Sequence, residues 1–188
     1  MPGRRVHHSL WKGLSRKRVV RADVISLDLG CNPKGDIAND LSKSEFATAF
    51  AMTADTLSAH AIDEVIVDQC PGVPCRISLS DVPVGERVLL LNYEHLPEDS
   101  PYRARHAIYV WDKAVESHPA PGHVPDVITR RLIAVRGFNR SHRIVTGDVV
   151  EGNDVAECIN ALFEDAHIDY IHLHNAKHGC FAAKVTRA

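Results

Sequence analysis

Apolar and polar positions along this chain change period every ten residues or so. Residues 63–69 (DEVIVDQ) and 76–80 (RISLS) alternate as half-buried strands do. Val88 to Leu91, within RVLLLNYEH, are apolar at successive positions, which suits a strand covered on both faces. HAIYVW (106–111), LIAVRGF (132–138) and RIVTGDVV (143–150) read as further strands, the last two as a hairpin. DYIHLH (169–174) and CFAAKVTR (180–187) close the chain as two more. Helical spacing replaces this alternation twice. In residues 44–60, Phe46, Ala49, Phe50 and Leu57 fall near one face, with Ser42 or Ser44 available as a cap. In VAECINALFED (155–165) the apolar positions 155, 158, 159, 162 and 163 follow the same period, behind Asn153 or Asp154. About eight strands and two helices, mostly joined as hairpins, predict a single α+β domain over residues 41–188 with a largely antiparallel sheet.

Composition narrows the class of protein. A chain of 188 residues is long enough for one well-buried core, and 45% apolar with 24% charged residues is ordinary for a globular domain. No apolar run approaches the ~20 residues that cross a bilayer, so no membrane partner is expected. The net charge of −2 conceals an asymmetry. Residues 1–21 carry seven Lys and Arg and no acid, which leaves fifteen bases against all twenty-four acids in residues 22–188. An acidic body repels phosphates, so nucleic acid is excluded as its partner. Residues 1–40 read as a basic, poorly ordered extension ahead of the domain. Five cysteines, Cys31, Cys70, Cys75, Cys158 and Cys180, lack zinc-ribbon spacing, since CPGVPC is C-x4-C. They read as reduced thiols of a cytoplasmic protein.

Candidate chemistry concentrates in YIHLHNAKHGCFAAKV (170–185). Strand alternation puts Tyr170, His172 and His174 on one face and Ile171 and Leu173 on the other. If NAKHG (175–179) is the loop, His174 lies opposite Cys180, while Phe181, Ala183 and Val185 join the apolar face. Three readings follow. His172, His174 and Cys180 can ligate a transition metal such as zinc, with His106 or His95 completing the set. Alternatively Cys180 is a nucleophile, His174 its base and Asn175 the group that orients the imidazole. In the third reading these side chains line a groove without reaction. NYEHLPEDSPYRARH (92–106) adds Glu94 and His95 as acid–base candidates, with Tyr93, Tyr102 and Arg103 as substrate contacts. Arg76, just after PGVPC, can clamp a carboxylate. No phosphate-loop, dinucleotide, zincin or nucleophile-elbow motif is present, so no nucleotide cofactor is expected.

PGVPCRISLSDVPVGERVLLLNYEHLPEDSPYRARHAIYV and YIHLHNAKHGCFAAKVTRA together resemble the bacterial family known as domain of unknown function 1203, over about residues 46–188. The P-C-R turn, the L-L-N-Y-E-H strand, the S-P-Y-R loop and the H-x-H-N-A-x-x-G-C hairpin occur in the family's order. The resemblance implies no mechanism. By position it implicates Cys75, Arg76, Asn92, Tyr93, Glu94, His95, Ser100, Tyr102, Arg103, His106, His172, His174, Asn175, Gly179 and Cys180, and it leaves Cys70 outside the pattern. The expected function is a His/Cys/Glu/Arg-lined pocket that binds, and in one version transforms, a small polar molecule. The alternative is a non-catalytic module that forms a homodimer through a sheet edge. Because the chain shows no apolar periodicity before Val19, deleting residues 1–20 is expected to leave the melting temperature almost unchanged. A cooperative loss of folding in that variant would make the segment integral.

Overall fold

The computed structural model describes residues 34–38 and 41–188; the rest of the expected basic extension lies outside them. Among the described residues, ten strands form two five-stranded sheets. The first runs in the order β1 (Gly35–Ala38), β10 (Phe181–Arg187), β9 (Tyr170–Asn175), β7 (Leu132–Phe138), β8 (Ile144–Glu151), antiparallel throughout. The second runs β2 (Asp63–Ile66), β5 (Arg87–Leu96), β6 (Ala104–Val110), β3 (Pro74–Cys75), β4 (Ser80–Asp81) and is mixed, because β3 lies parallel to β6. The α+β class stands, while the expected single sheet of about eight strands becomes two sheets. Periodicity reports which side chains share a face, not which strands pair, so partition into sheets was beyond its reach.

Two local expectations are also corrected. RISLS is not a strand: Arg76 to Leu79 form the turn between β3 and β4, and Leu79 sits at φ +47°. Its alternation arose because Ile77 and Leu79 are both buried from within a turn. The long helix expected over 44–60 is broken into a 3-10 turn (Lys43–Phe46), α1 (Ala47–Phe50) and α2 (Ala54–Ala59). Ser42 and Glu45 form a capping box at the first start, and Thr53 caps α2 by accepting the Thr56 N–H. A further short helix, α3, spans Asp126–Thr129. Before α4 (Val155–Leu162) comes a 3-10 turn, Gly152–Asp154, and Asp154 makes no side-chain cap bond. A Cβ at Gly152 would run into the Ile128 and Thr129 carbonyls, so only glycine lets the chain pass there.

The first sheet uses both faces. Ile133 and Val135, Ile171 and Leu173, and Ala183 and Val185 pack against Val155, Ile159 and Phe163 from α4 and its C-terminal end. Ile37 of β1 is buried in the same core, so these four residues of the expected 1–40 extension belong to the sheet. The opposite face carries Tyr170, His172, His174 and Phe181, and Phe181 packs with Val88, Leu91 and Ile108 of the second sheet. A β-bulge between Phe181 and Ala183 makes this possible, since it reverses the alternation within β10. Among the described residues no helix is long and apolar enough to cross a membrane.

Leu173 is fully buried in the core over α4, whereas Val149 on edge strand β8 is 54% exposed. Leu173→Ala is expected to cost ~2–5 kcal/mol in urea unfolding, and Val149→Ala to stay within about 0.5 kcal/mol.

Candidate metal centre

The two strand histidines do not meet Cys180; they meet His95. In the observed register His174 pairs with Phe181 and His172 with Lys184, and Cys180 lies just outside β10. One ring nitrogen each from His95, His172 and His174 lies within 4.8 Å of the other two. His95 arrives from β5, near the irregularity between Tyr93 and Leu96 where β5 leaves regular pairing with β6. Its ring stacks on Phe181 at 5.0 Å and 13°, and meets His174 edge-on at 5.1 Å. Phe181 also touches the edges of His172 and His174, so one phenyl ring packs against all three imidazoles.

The hydrogen bonding leaves a ring nitrogen of each histidine without a partner among the described residues. His174 Nδ1 lies 3.0 Å from the Gly179 carbonyl. A carbonyl can only accept, so Nδ1 carries the proton and Nε2 is the basic nitrogen. That Nε2 is buried and unpartnered among the described residues, as are Nδ1 of His95 and Nδ1 of His172. Orphaned buried polar atoms are rare in folded proteins, and one on each of three converging imidazoles calls for a partner outside the side chains present. A ligating histidine characteristically donates its second ring N–H to a carbonyl, as His174 does.

Burial keeps the three rings neutral. Desolvation first, and then the charge of Arg136, lowers His95 to about 4 and His174 to about 3. Desolvation and the neighbouring imidazoles lower His172 to about 2. Neutral imidazole is the form that ligates metals, so protonation does not compete for these nitrogens at neutral pH. Arg136 itself pairs with His172 across β7 and β9, is half-buried, and has no hydrogen bond or ion pair among the described residues. Its charge opposes a bare cation here, so a metal at this centre would draw in a negatively charged ligand. Sequence reasoning passed over Arg136. The signal was a lone arginine inside the otherwise apolar strand LIAVRGF.

A cleft of about 180 Å³ borders the centre, lined by His95, His172, Phe181, Tyr93, Glu94 and Lys184 among others. Tyr93 packs against Phe46 and Phe181. Glu94 is paired with Arg103 at 2.7 Å, and that hydrogen bond holds its carboxyl below the usual range. It therefore presents a carboxylate held in an ion pair rather than a poised acid. Tyr102 is exposed and meets Phe138 edge-on. His106 pairs with Tyr93 across β5 and β6, near enough for its charge to lower His95 and His174, but it is not one of the three converging rings. Arg76, Asn175 and Cys180 line a different cleft. The bulge explains the separation: it gives the place opposite His174 to Phe181 and displaces Cys180 to the loop end, where its carbonyl accepts the Asn175 N–H.

Residues 72–187, which contain all three histidines, match the family described as Protein of unknown function (DUF1203). The chain belongs to this family. The resemblance read from the P-C-R, L-L-N-Y-E-H and H-x-H-N-A-x-x-G-C segments is thereby borne out over more than half of the chain. No curated protein and no solved structure matches the chain. The DUF1203 match carries no activity with it, so the chemistry of the centre rests on the geometry above.

The three depressed pKa values set a direction for acid unfolding. Above pH ~6.5 the imidazoles are neutral in both folded and unfolded chains and add no pH dependence. Between pH ~6.5 and 4 the unfolded chain takes up protons that the folded one refuses, so stability falls as pH falls. Urea midpoints of EDTA-treated protein are expected to show this fall. A His172→Gln variant should flatten the slope by close to one proton.

Proposed function

We propose that this DUF1203 protein binds one divalent transition-metal ion through His95, His172 and His174, and that a small polar molecule reaches the ion through the adjoining cleft. The observation that carries this is the convergence of three neutral imidazoles, each with a buried, unpartnered nitrogen. Imidazole donors suit zinc, copper, iron and nickel, and three protein ligands leave coordination positions open for another molecule. Tetrahedral zinc with Zn–N bonds of about 2.0–2.1 Å needs nitrogens ~3.3 Å apart, so the rings would close in modestly on loading. Arg136 and Lys184 on the same side supply positive charge, which favours an anionic group on the bound molecule. Cys180 lines a different cleft and is therefore not among the ligands proposed here.

A second reading, a module that dimerises through a sheet edge, keeps one observation in its favour. β8 is an edge strand of eight residues, and its Val145 and Val149 are 41% and 54% exposed. Exposed apolar edges of that kind are templates for pairing with another strand.

Metal titration separates the two. Untagged, EDTA-treated protein is expected to bind one Co²⁺ or Zn²⁺ per chain, with visible d–d bands for cobalt. His172→Gln and His95→Gln should weaken binding by about 100-fold or more, and Cys180→Ser should leave it unchanged. Absence of stoichiometric binding, together with a dimer by light scattering that Val149→Lys dissolves, would replace the metal reading with the module.

A further inference from the structure

The second cleft is larger than the one beside the histidines, about 750 Å³, and lies within the range of small-molecule sites. Its charged and polar lining is one-sided. Arg76, Arg131 and Lys177 contribute positive charge, and no described residue lining it is an acid. Arg131 is already matched, since Asp81 accepts from both of its terminal nitrogens, at 2.5 and 3.2 Å. Arg76 is not. It is 3% exposed, its Nε donates to the Phe181 carbonyl and its Nη1 to the Pro74 carbonyl at 3.0 Å. Both acceptors are neutral, and among the described residues Arg76 has no ion pair and its Nη2 no hydrogen-bond partner. Desolvation by burial lowers its pKa to about 10, which still leaves it charged at neutral pH.

A buried guanidinium tied only to carbonyls retains a full charge removed from water, and a fixed cation of that kind is compensated by an anion. We propose that this cleft binds a small organic carboxylate, with Arg76 as its charge partner. The carbonyl bonds to Phe181 and Pro74 hold the guanidinium plane in place, and a planar fork matches a planar carboxylate. Ile108, Leu132 and Pro74 give the cleft apolar walls, which select an anion with an apolar body over a fully hydrated inorganic one. Cys180 and Asn175 stand on the same cleft, and Cys180 is close enough for its charge to act on Arg76. The site is independent of the histidine centre and stands or falls apart from it.

Cys180 is half-buried and so serves as a reporter. Its alkylation in the full-length protein can be followed by mass spectrometry of its peptide, with iodoacetate (a carboxylate) and iodoacetamide (its neutral counterpart) as probes. The iodoacetate-to-iodoacetamide rate ratio at Cys180 is expected to exceed that of the same cysteine in urea-unfolded chain by about tenfold, the discrimination of one charge-assisted contact. Benzoate should protect Cys180 from iodoacetamide in a saturable way, and inorganic phosphate should protect less. Arg76→Met should abolish the preference. Because Arg76 also braces two backbone segments, Leu132→Glu provides a second variant: it places a carboxylate at a half-exposed cleft position and should cut the ratio in a protein that still melts cooperatively. Failure of benzoate to protect, or a ratio equal to that of the unfolded chain, overturns the assignment.

Discussion

The bulge between Phe181 and Ala183 inserts one residue into β10, and the contents of both clefts depend on it. A regular strand would keep Phe181 with Ala183 and Val185 over α4, and would leave Cys180 beside the histidines. With the extra residue, Ala183 and Val185 stay in the helix-side core while Phe181 turns to the second sheet. The phenyl ring then becomes the surface on which His95, His172 and His174 are arranged. Cys180, displaced to the loop end, joins Arg76 and Asn175 instead.

Desolvation is the common physical theme of the two sites. At one, burial keeps three imidazoles neutral and leaves each with a buried ring nitrogen that has no partner among the described residues. At the other, burial isolates a guanidinium from water without an ion pair of its own among the described residues, the nearby Asp81 carboxylate being bonded to Arg131. The first arrangement suits a cation as partner and the second an anion. Each is a local deficit of a kind that is rare in protein interiors, and such deficits mark sites of binding more often than errors of packing.

The centre and the cleft also share a mechanical support. Phe181 gives its ring to the histidines and its carbonyl to Arg76. Gly179, at φ +76°, gives its carbonyl to His174, a conformation in which a residue bearing a Cβ would be strained. The hairpin from His172 to Phe181 therefore orients both sites through its backbone as much as through its side chains.

Much of this was written in local pattern. The strands β5 to β10 and α4 follow from hydrophobic period and turn residues, and His172 with His174 on one face follows from strand alternation alone. The family was legible in the order of short motifs along residues 72–187. What the chain could not show locally was decided by register and by sheet-to-sheet contact. A bulge changes the parity of every residue beyond it, and nothing in FAAKV announces one. His95 reaches the centre from a strand of the other sheet, seventy-seven residues before His172, and Arg136 stands beside it because β7 pairs with β9. Alternation is a property of one strand and is set by the residues in it. The meeting of three histidines from two sheets is a property of packing, and only the tertiary structure decides it.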